Sequence, residues 1–135
     1  MKNISLENSK INDLLLLLLR VSLSLLLMTH GYPKLLKLFS GNEIEFYNFL
    51  NLGPKITILF PIIGEFVAPL FIILGYKTRL AACISALTML CISFIFHFND
   101  SLADKEHSLI FAIGFIYIFI TGAGKYSISQ IFDKK

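Results

Sequence analysis

Four long apolar runs, separated by short polar stretches, dominate the pattern of the chain. They cover residues 14–38, 56–76, 80–99 and 107–124. About 20 helical residues cross the hydrocarbon core of a bilayer, and each run has about this length. Because backbone polar groups in lipid must be satisfied within the segment, each run is predicted to be a helix. The pattern therefore predicts an all-α integral membrane protein, an up-down four-helix transmembrane bundle that forms a single membrane domain over residues 1–135.

Details of the runs refine this prediction. The first run follows the acidic Glu7 and Asp13 and is interrupted by Arg20, and no small-x-small cleavage site follows it. It is therefore expected to be an uncleaved span rather than a secretory signal. The second run contains Pro61 and Pro69, which predict a kink close to Glu65. The polar stretch over residues 40–55 contains enough apolar residues to form a short interfacial helix.

Composition supports a membrane protein and excludes several other classes. Hydrophobic residues make up 56% of the chain, charged residues make up only 16%, and the mean hydropathy is +0.74. A soluble domain of this size has too much surface to hide so much apolar side chain. The net charge of +3 is too small to indicate nucleic-acid binding. Cys83 and Cys91 lie too far apart on one helix for a disulfide, and without a CxxC or HxxxH pair we expect no metal site.

Loop charges predict the orientation. In a four-span protein both termini and the middle loop share one side. The side with the termini carries seven basic residues, which are Lys2, Lys10, Lys77, Arg79, Lys125, Lys134 and Lys135. The other side carries four, which are Lys34, Lys37, Lys55 and Lys105. The positive-inside rule then places the N-terminus and the C-terminus in the cytoplasm.

Two charged residues lie inside the apolar runs. Arg20 is in the first run and Glu65 is near the middle of the second. A charge at the bilayer centre costs about 3 kcal/mol unless it is paired, faces the bundle interior or reaches water. Arg20 lies on one helical stripe with Ser24, Leu27, Gly31 and Lys34, so we expect Arg20 and Glu65 to form a buried ion pair. The alternatives are that the pair serves only to fix helix register, or that Arg20 reaches the membrane surface.

A second set of polar residues is expected at the outer ends of the helices. The up-down topology brings His30, Lys34, His97 and Glu106 to the same membrane face, together with His107. Histidine titrates near neutral pH, and a neighbouring carboxylate can pass protons to it. These residues predict a polar pocket suited to a quinone head group. The alternative interpretation is that they are ordinary polar residues at wet helix ends.

The order of these residues resembles the DoxX family of small four-helix membrane proteins. The matching positions are Arg20, the segment from His30 to Lys34, Gly64 with Glu65, the turn from Leu74 to Arg79, His97, Glu106, and the segment from Gly122 to Ile128. The resemblance covers about residues 13 to 130. It implies an up-down bundle in the bacterial inner membrane. Proteins of the related DoxD branch form a subunit of a thiosulfate:quinone oxidoreductase, so the resemblance implies a link to membrane redox chemistry. Distant animal relatives act as membrane chaperones or cargo receptors.

The function expected from these observations is that of a redox-associated membrane subunit linked to a quinone or a thiol. Arg20 and Glu65 would hold the core, while Lys34, His97 and Glu106 would line the pocket. No cofactor is expected to be covalently bound; a quinone, and a soluble or membrane redox partner protein, would carry the electrons. The alternatives are a non-enzymatic partner-binding or chaperone-like protein and, less favoured, a small-solute transporter. The sequence leaves open whether the protein is an enzyme.

Overall fold

Four long helices follow the four apolar runs. The computed structural model describes residues 2–132, with side chains from Ser9 onward, and the predicted contributions of Lys134 and Lys135 lie outside these residues. The helices are α1 (Lys2–Phe39), α2 (Pro54–Leu74), α3 (Thr78–Phe96) and α4 (Leu102–Thr121), followed by the short α5 (Ile128–Phe132). Within residues 2–132 there is no strand. The prediction of an all-α, up-down four-helix bundle is confirmed.

The helices differ in how far they resemble ideal membrane spans. The apolar part of α1 (Ser9–Phe39) and the whole of α2 and α3 are long and apolar enough to cross a bilayer. Helix α4 is 20 residues long, but its first turns include Asp104, Lys105 and Glu106, so its apolar part begins only after them. Ser101 caps this helix, because its hydroxyl accepts the Asp104 N–H while the Asp104 carboxylate accepts the Ser101 N–H.

Each end of the bundle has its own connections. The end formed by residues 40–53 and 97–101 is called the loop end, and the end formed by residues 75–77 and 122–127 is called the turn end. In the first loop only a 3-10 turn, Phe49–Asn51, is helical, where the sequence predicted a short interfacial helix. At the turn end α2 closes with Gly75 at a φ of 71°, and the Tyr76 N–H bonds to the Phe71 carbonyl, so that α3 starts immediately.

Small side chains bring the helices together, and large ones face outward. On α3 the buried residues include Ala82 and Ser85, both 0% exposed. They leave room for Phe115 and Ile118 of α4, which are also fully buried. In contrast, Leu18 of α1 is 54% exposed, as are many large apolar side chains around the bundle. Exposing so much apolar surface to water would be energetically unfavourable, so these outer faces contact lipid acyl chains.

Candidate polar cavity between a buried ion pair and the loop end

Arg20 is buried at the turn end and bonds to backbone rather than to Glu65. It is 1% exposed, and its guanidinium donates to the carbonyl oxygens of Ala123 and Tyr126, the latter at 2.7 Å. These carbonyls belong to the segment that follows α4. The guanidinium therefore fastens this segment to the first helix through two charge-assisted hydrogen bonds.

Glu65 forms its ion pair with Lys34, so the predicted Arg20–Glu65 pair is wrong. The side chains of Glu65 and Lys34 are 1% and 27% exposed, and the Lys34 ammonium donates to Oε2 of Glu65. Glu65 lies beside Gly31, which is about 16 Å farther along α1 than Arg20 at the usual helical rise. The stripe itself was predicted correctly, since Arg20, Ser24, Leu27 and Gly31 all face the interior.

A π-helical turn in α2 positions Glu65. Over Ile63–Val67 the helix widens, and the Ala68 N–H bonds to the Ile63 carbonyl instead of the Gly64 carbonyl. Pro69 has no N–H to offer the freed oxygen. The Ser85 hydroxyl of α3 donates to the Gly64 carbonyl at 2.8 Å instead. The proline therefore produces a widened turn at the predicted kink position, and α3 satisfies the carbonyl that this turn releases.

Two glycines allow neighbouring chains to approach this turn closely. A Cβ atom on Gly31 of α1 would lie 2.8 Å from the backbone carbon and oxygen of Glu65. A Cβ atom on Gly64 would lie 2.0 Å from the Thr88 hydroxyl oxygen of α3. The Glu65 turn is thus held between α1 and α3 at distances that only glycine permits.

A second π-helical turn ends α3. It covers Ile92–Phe96, and the His97 N–H bonds to the Ile92 carbonyl, five residues back, at 3.0 Å. His97 leaves the helix at this point, and its Nδ1 lies 2.6 Å from the Asp100 carboxylate. A carboxylate on one ring nitrogen fixes the orientation of the imidazole and leaves the other nitrogen available for a ligand. π turns of this kind are frequent at functional sites.

Glu65 and His97 share one cavity with Lys34 and His30. The cavity has a volume of about 230 Å³ and lies between all four helices toward the loop end. Its apolar wall consists of Leu27, Met89, Ile92 and Phe111, and its polar groups are His30, Lys34, Glu65, His97, Asp104, His107 and Ser108. Predicted pocket residues His30, Lys34 and His97 thus come together, and Glu65 joins them.

Glu106 does not belong to this cavity, which corrects its predicted role. Asp104, Glu106 and His107 are all exposed, but only Asp104 and His107 line the cavity. Glu106 lies about 200° around the helix from Asp104. The signal that identifies Asp104 is the spacing of buried positions on α4, because Asp104 precedes the inward-facing Ser108 by one helical turn.

Inside the cavity, apolar and polar groups are arranged as in a small-molecule site. The His30 ring contacts the Phe111 ring edge to face, with centroids 6.0 Å apart. Ser108 shares a 2.6 Å hydrogen bond with Ser93, so both buried hydroxyls are satisfied. The Lys34 ammonium and the imidazoles of His30, His97 and His107 also line the cavity. Among the side chains of residues 9–132, no group of three His, Cys, Asp or Glu residues is placed to hold a metal ion.

Together, the four apolar helices and the charged pair between them define a multi-pass membrane protein with a polar cavity near one face. The sequence model of the DoxX family matches residues 15–98, more than half of the chain. The chain is also 30% identical over 132 residues to the inner membrane protein YqjF of Escherichia coli, with 93% of this chain and 98% of that protein covered. No solved structure gives a significant match. The chain belongs to the DoxX family and is a multi-pass inner-membrane protein.

Proposed function

We propose that this DoxX protein is a redox-associated membrane subunit whose loop-end cavity binds the head group of a quinone. The observation that carries the proposal is the buried Glu65–Lys34 pair, which opens onto a cavity with an apolar wall. A charged pair in a membrane interior is costly, and such residues commonly mark substrate or proton pathways. The pair is therefore better explained by a ligand than by packing alone.

The size of the cavity supports a head group rather than a large ligand. Sites for drug-sized molecules measure roughly 300–1,000 Å³, and this cavity measures about 230 Å³. A single ring would lie against the apolar wall formed by Leu27, Met89 and Phe111. A thiol-linked substrate of similar size would use the same polar groups.

The residues divide into binding groups and proton carriers. A bound quinone accepts two electrons and two protons, and the electrons would come from a redox partner protein. The Lys34 ammonium is placed to donate a hydrogen bond to a carbonyl oxygen of the ring. Glu65 holds Lys34 in position, and His97, oriented by Asp100, connects the cavity with the aqueous face. An imidazole has two ring nitrogens, so it can take up a proton at one and release a proton from the other.

The proposal includes an orientation. The turn end carries Lys77, Arg79 and Lys125, and the positive-inside rule places these on the cytoplasmic side together with both termini. The cavity then lies toward the periplasmic face.

Quinone binding by purified protein tests the proposal. The full chain is purified in mild detergent, its lipid extract is analysed for quinone by mass spectrometry, and a short-chain ubiquinone is titrated while the unfolding temperature is followed. We expect wild-type protein to bind, and Glu65→Gln to bind about tenfold more weakly, the equivalent of one charge-assisted hydrogen bond. His97→Ala is expected to keep the binding but to lose quinone-dependent activity with a redox partner.

Glu106→Gln is the matched control, because it makes the same chemical change on an exposed residue outside the cavity. It is expected to bind like the wild type. Equal binding by Glu65→Gln and Glu106→Gln would refute the site. Co-purification of a specific protein partner without quinone would instead favour the chaperone-like alternative.

A further inference from the structure

A second concave surface lies at the turn end, far from the proposed quinone cavity. It is an open cleft of about 780 Å³ between the start of α3 and the segment that follows α4. We call it the basic cleft and define it by Lys77, Thr78, Arg79, Gly122 and Lys125, which all line it. The proposed quinone site makes no use of these residues, although two of the sequence segments that resemble the family meet here.

The basic cleft carries an excess of positive charge. Lys125 pairs with Asp13 at 2.8 Å, and Asp13 is the acidic residue in the lining. Among residues 9–132, neither Lys77 nor Arg79 forms an ion pair. Gly122, at a φ of +79°, packs against the Arg79 side chain, since a Cβ there would lie 3.2 Å from its Nε. The cleft thus retains two positive charges, and the guanidinium of Arg79 packs against the Gly122 backbone.

The N-terminus of α3 also faces the basic cleft without a side-chain cap. Lys77 occupies the capping position and makes no capping hydrogen bond. The first N–H groups of a helix have no partner within the helix and attract anions. Thr78, at the first helical position, is only 4% exposed, and its hydroxyl has no hydrogen-bond partner among the described residues. A buried hydroxyl without a partner is rare in native proteins, so the Thr78 hydroxyl leaves a hydrogen-bond donor available here.

From these observations we infer that the basic cleft binds a phosphate group. Phosphate oxygens accept from the guanidinium of Arg79, the ammonium of Lys77, the Thr78 hydroxyl and the first amides of α3. Tyr76 and Tyr126 directly adjoin Lys77 and Lys125 in the sequence, and tyrosine is enriched where membrane proteins meet lipid head groups. The phosphate belongs either to an anionic phospholipid or to a free phosphorylated molecule, since the chemistry of recognition is the same.

Thermal unfolding of the full chain in lipid nanodiscs tests this inference. One arm adds inorganic phosphate to nanodiscs of phosphatidylcholine, and the other arm compares phosphatidylglycerol with phosphatidylcholine. The critical variant is Thr78→Val, which keeps the side-chain shape and removes only the hydroxyl. The second variant is Lys77→Gln with Arg79→Gln. The matched controls are Thr29→Val, and Lys37→Gln with Lys55→Gln, all away from the cleft.

We expect phosphate or phosphatidylglycerol to raise the unfolding temperature of the wild type. Thr78→Val should unfold at the wild-type temperature without ligand and bind about tenfold more weakly, as expected for one lost hydrogen bond. The double charge variant should lose the response, and both controls should retain it. A response to phosphatidylglycerol alone identifies a lipid, and a response to inorganic phosphate identifies a free ligand. Absence of both responses, or equal binding by Thr78→Val and wild type, would overturn the inference.

Discussion

At the residue scale, the pairing of Lys34 with Glu65 is the feature that decides the site. Removing one member of a buried ion pair leaves an uncompensated charge in the membrane interior, which costs about 3–5 kcal/mol. Because Lys34 is partly exposed, we expect Glu65→Gln and Lys34→Met each to cost about 3 kcal/mol, at the lower end of that range. The double variant should recover most of this loss.

A double-mutant cycle on detergent-solubilised protein measures this coupling. Lys37 supplies the control, since it lies one turn farther along α1 and donates to the Glu45 carbonyl instead. The combination of Lys37→Met with Glu65→Gln should be additive within about 0.5 kcal/mol. A Lys34–Glu65 coupling no larger than this would contradict the pairing.

The sequence identified the inward-facing residues of α1 but not their partners. Helical periodicity fixes the direction of a side chain around the axis, so the stripe from Arg20 to Gly31 could be predicted. It does not fix how far one helix is shifted along its neighbour. The partner of Glu65 depends on this shift. The choice of Glu106 over Asp104 has a different cause, because the spacing from the inward-facing Ser108 already favours Asp104 on α4.

At the element scale, α2 depends on close contact between its π turn and α1. We expect Gly31→Ala to reduce the free energy of unfolding by about 1–3 kcal/mol, because the new methyl would meet the rigid Glu65 backbone. Gly114→Ala is the control, since its Cβ would meet only the flexible end of the Leu23 side chain. Thermal unfolding of both variants is the measurement. An equal effect at the two glycines would show that the contact at Gly31 is not rigid.

The two π turns differ in how far the sequence predicts them. Pro69 predicts a break near Glu65, because proline has no backbone N–H and cannot donate the hydrogen bond of a regular helix at that position. The form of that break depends on Ser85 of α3, which satisfies the Gly64 carbonyl. The turn over Ile92–Phe96 contains no proline, and local sequence gives no sign of it.

At the scale of the whole molecule, the bilayer makes the fold predictable. Its thickness sets the length of each apolar run, and the lack of water in its core requires helices. Short connections then make sequential helices antiparallel neighbours, which gives an up-down bundle. Function is less predictable, since the cavity is formed by side chains of four helices whose relative positions the sequence does not specify.

Cysteine labelling tests the orientation of the molecule. In a chain with Cys83→Ala and Cys91→Ala, single Asn42→Cys and Lys77→Cys variants report the loop end and the turn end. We expect a membrane-impermeant maleimide to label Asn42→Cys in intact spheroplasts, and to label Lys77→Cys only after permeabilisation. This follows from the greater number of basic residues at the turn end. The opposite labelling pattern would reverse the proposed orientation.

The bonds of Arg20 also set an order for biogenesis. Its two acceptors lie 103 and 106 residues farther along the chain. While the ribosome is still producing α2, α3 and α4, the guanidinium has neither of these carbonyls. Throughout synthesis it must therefore rely on lipid phosphates, water or the insertion machinery. Both bonds can form only once residue 126 has emerged, so that the first helix and the last segment of the chain complete this contact together.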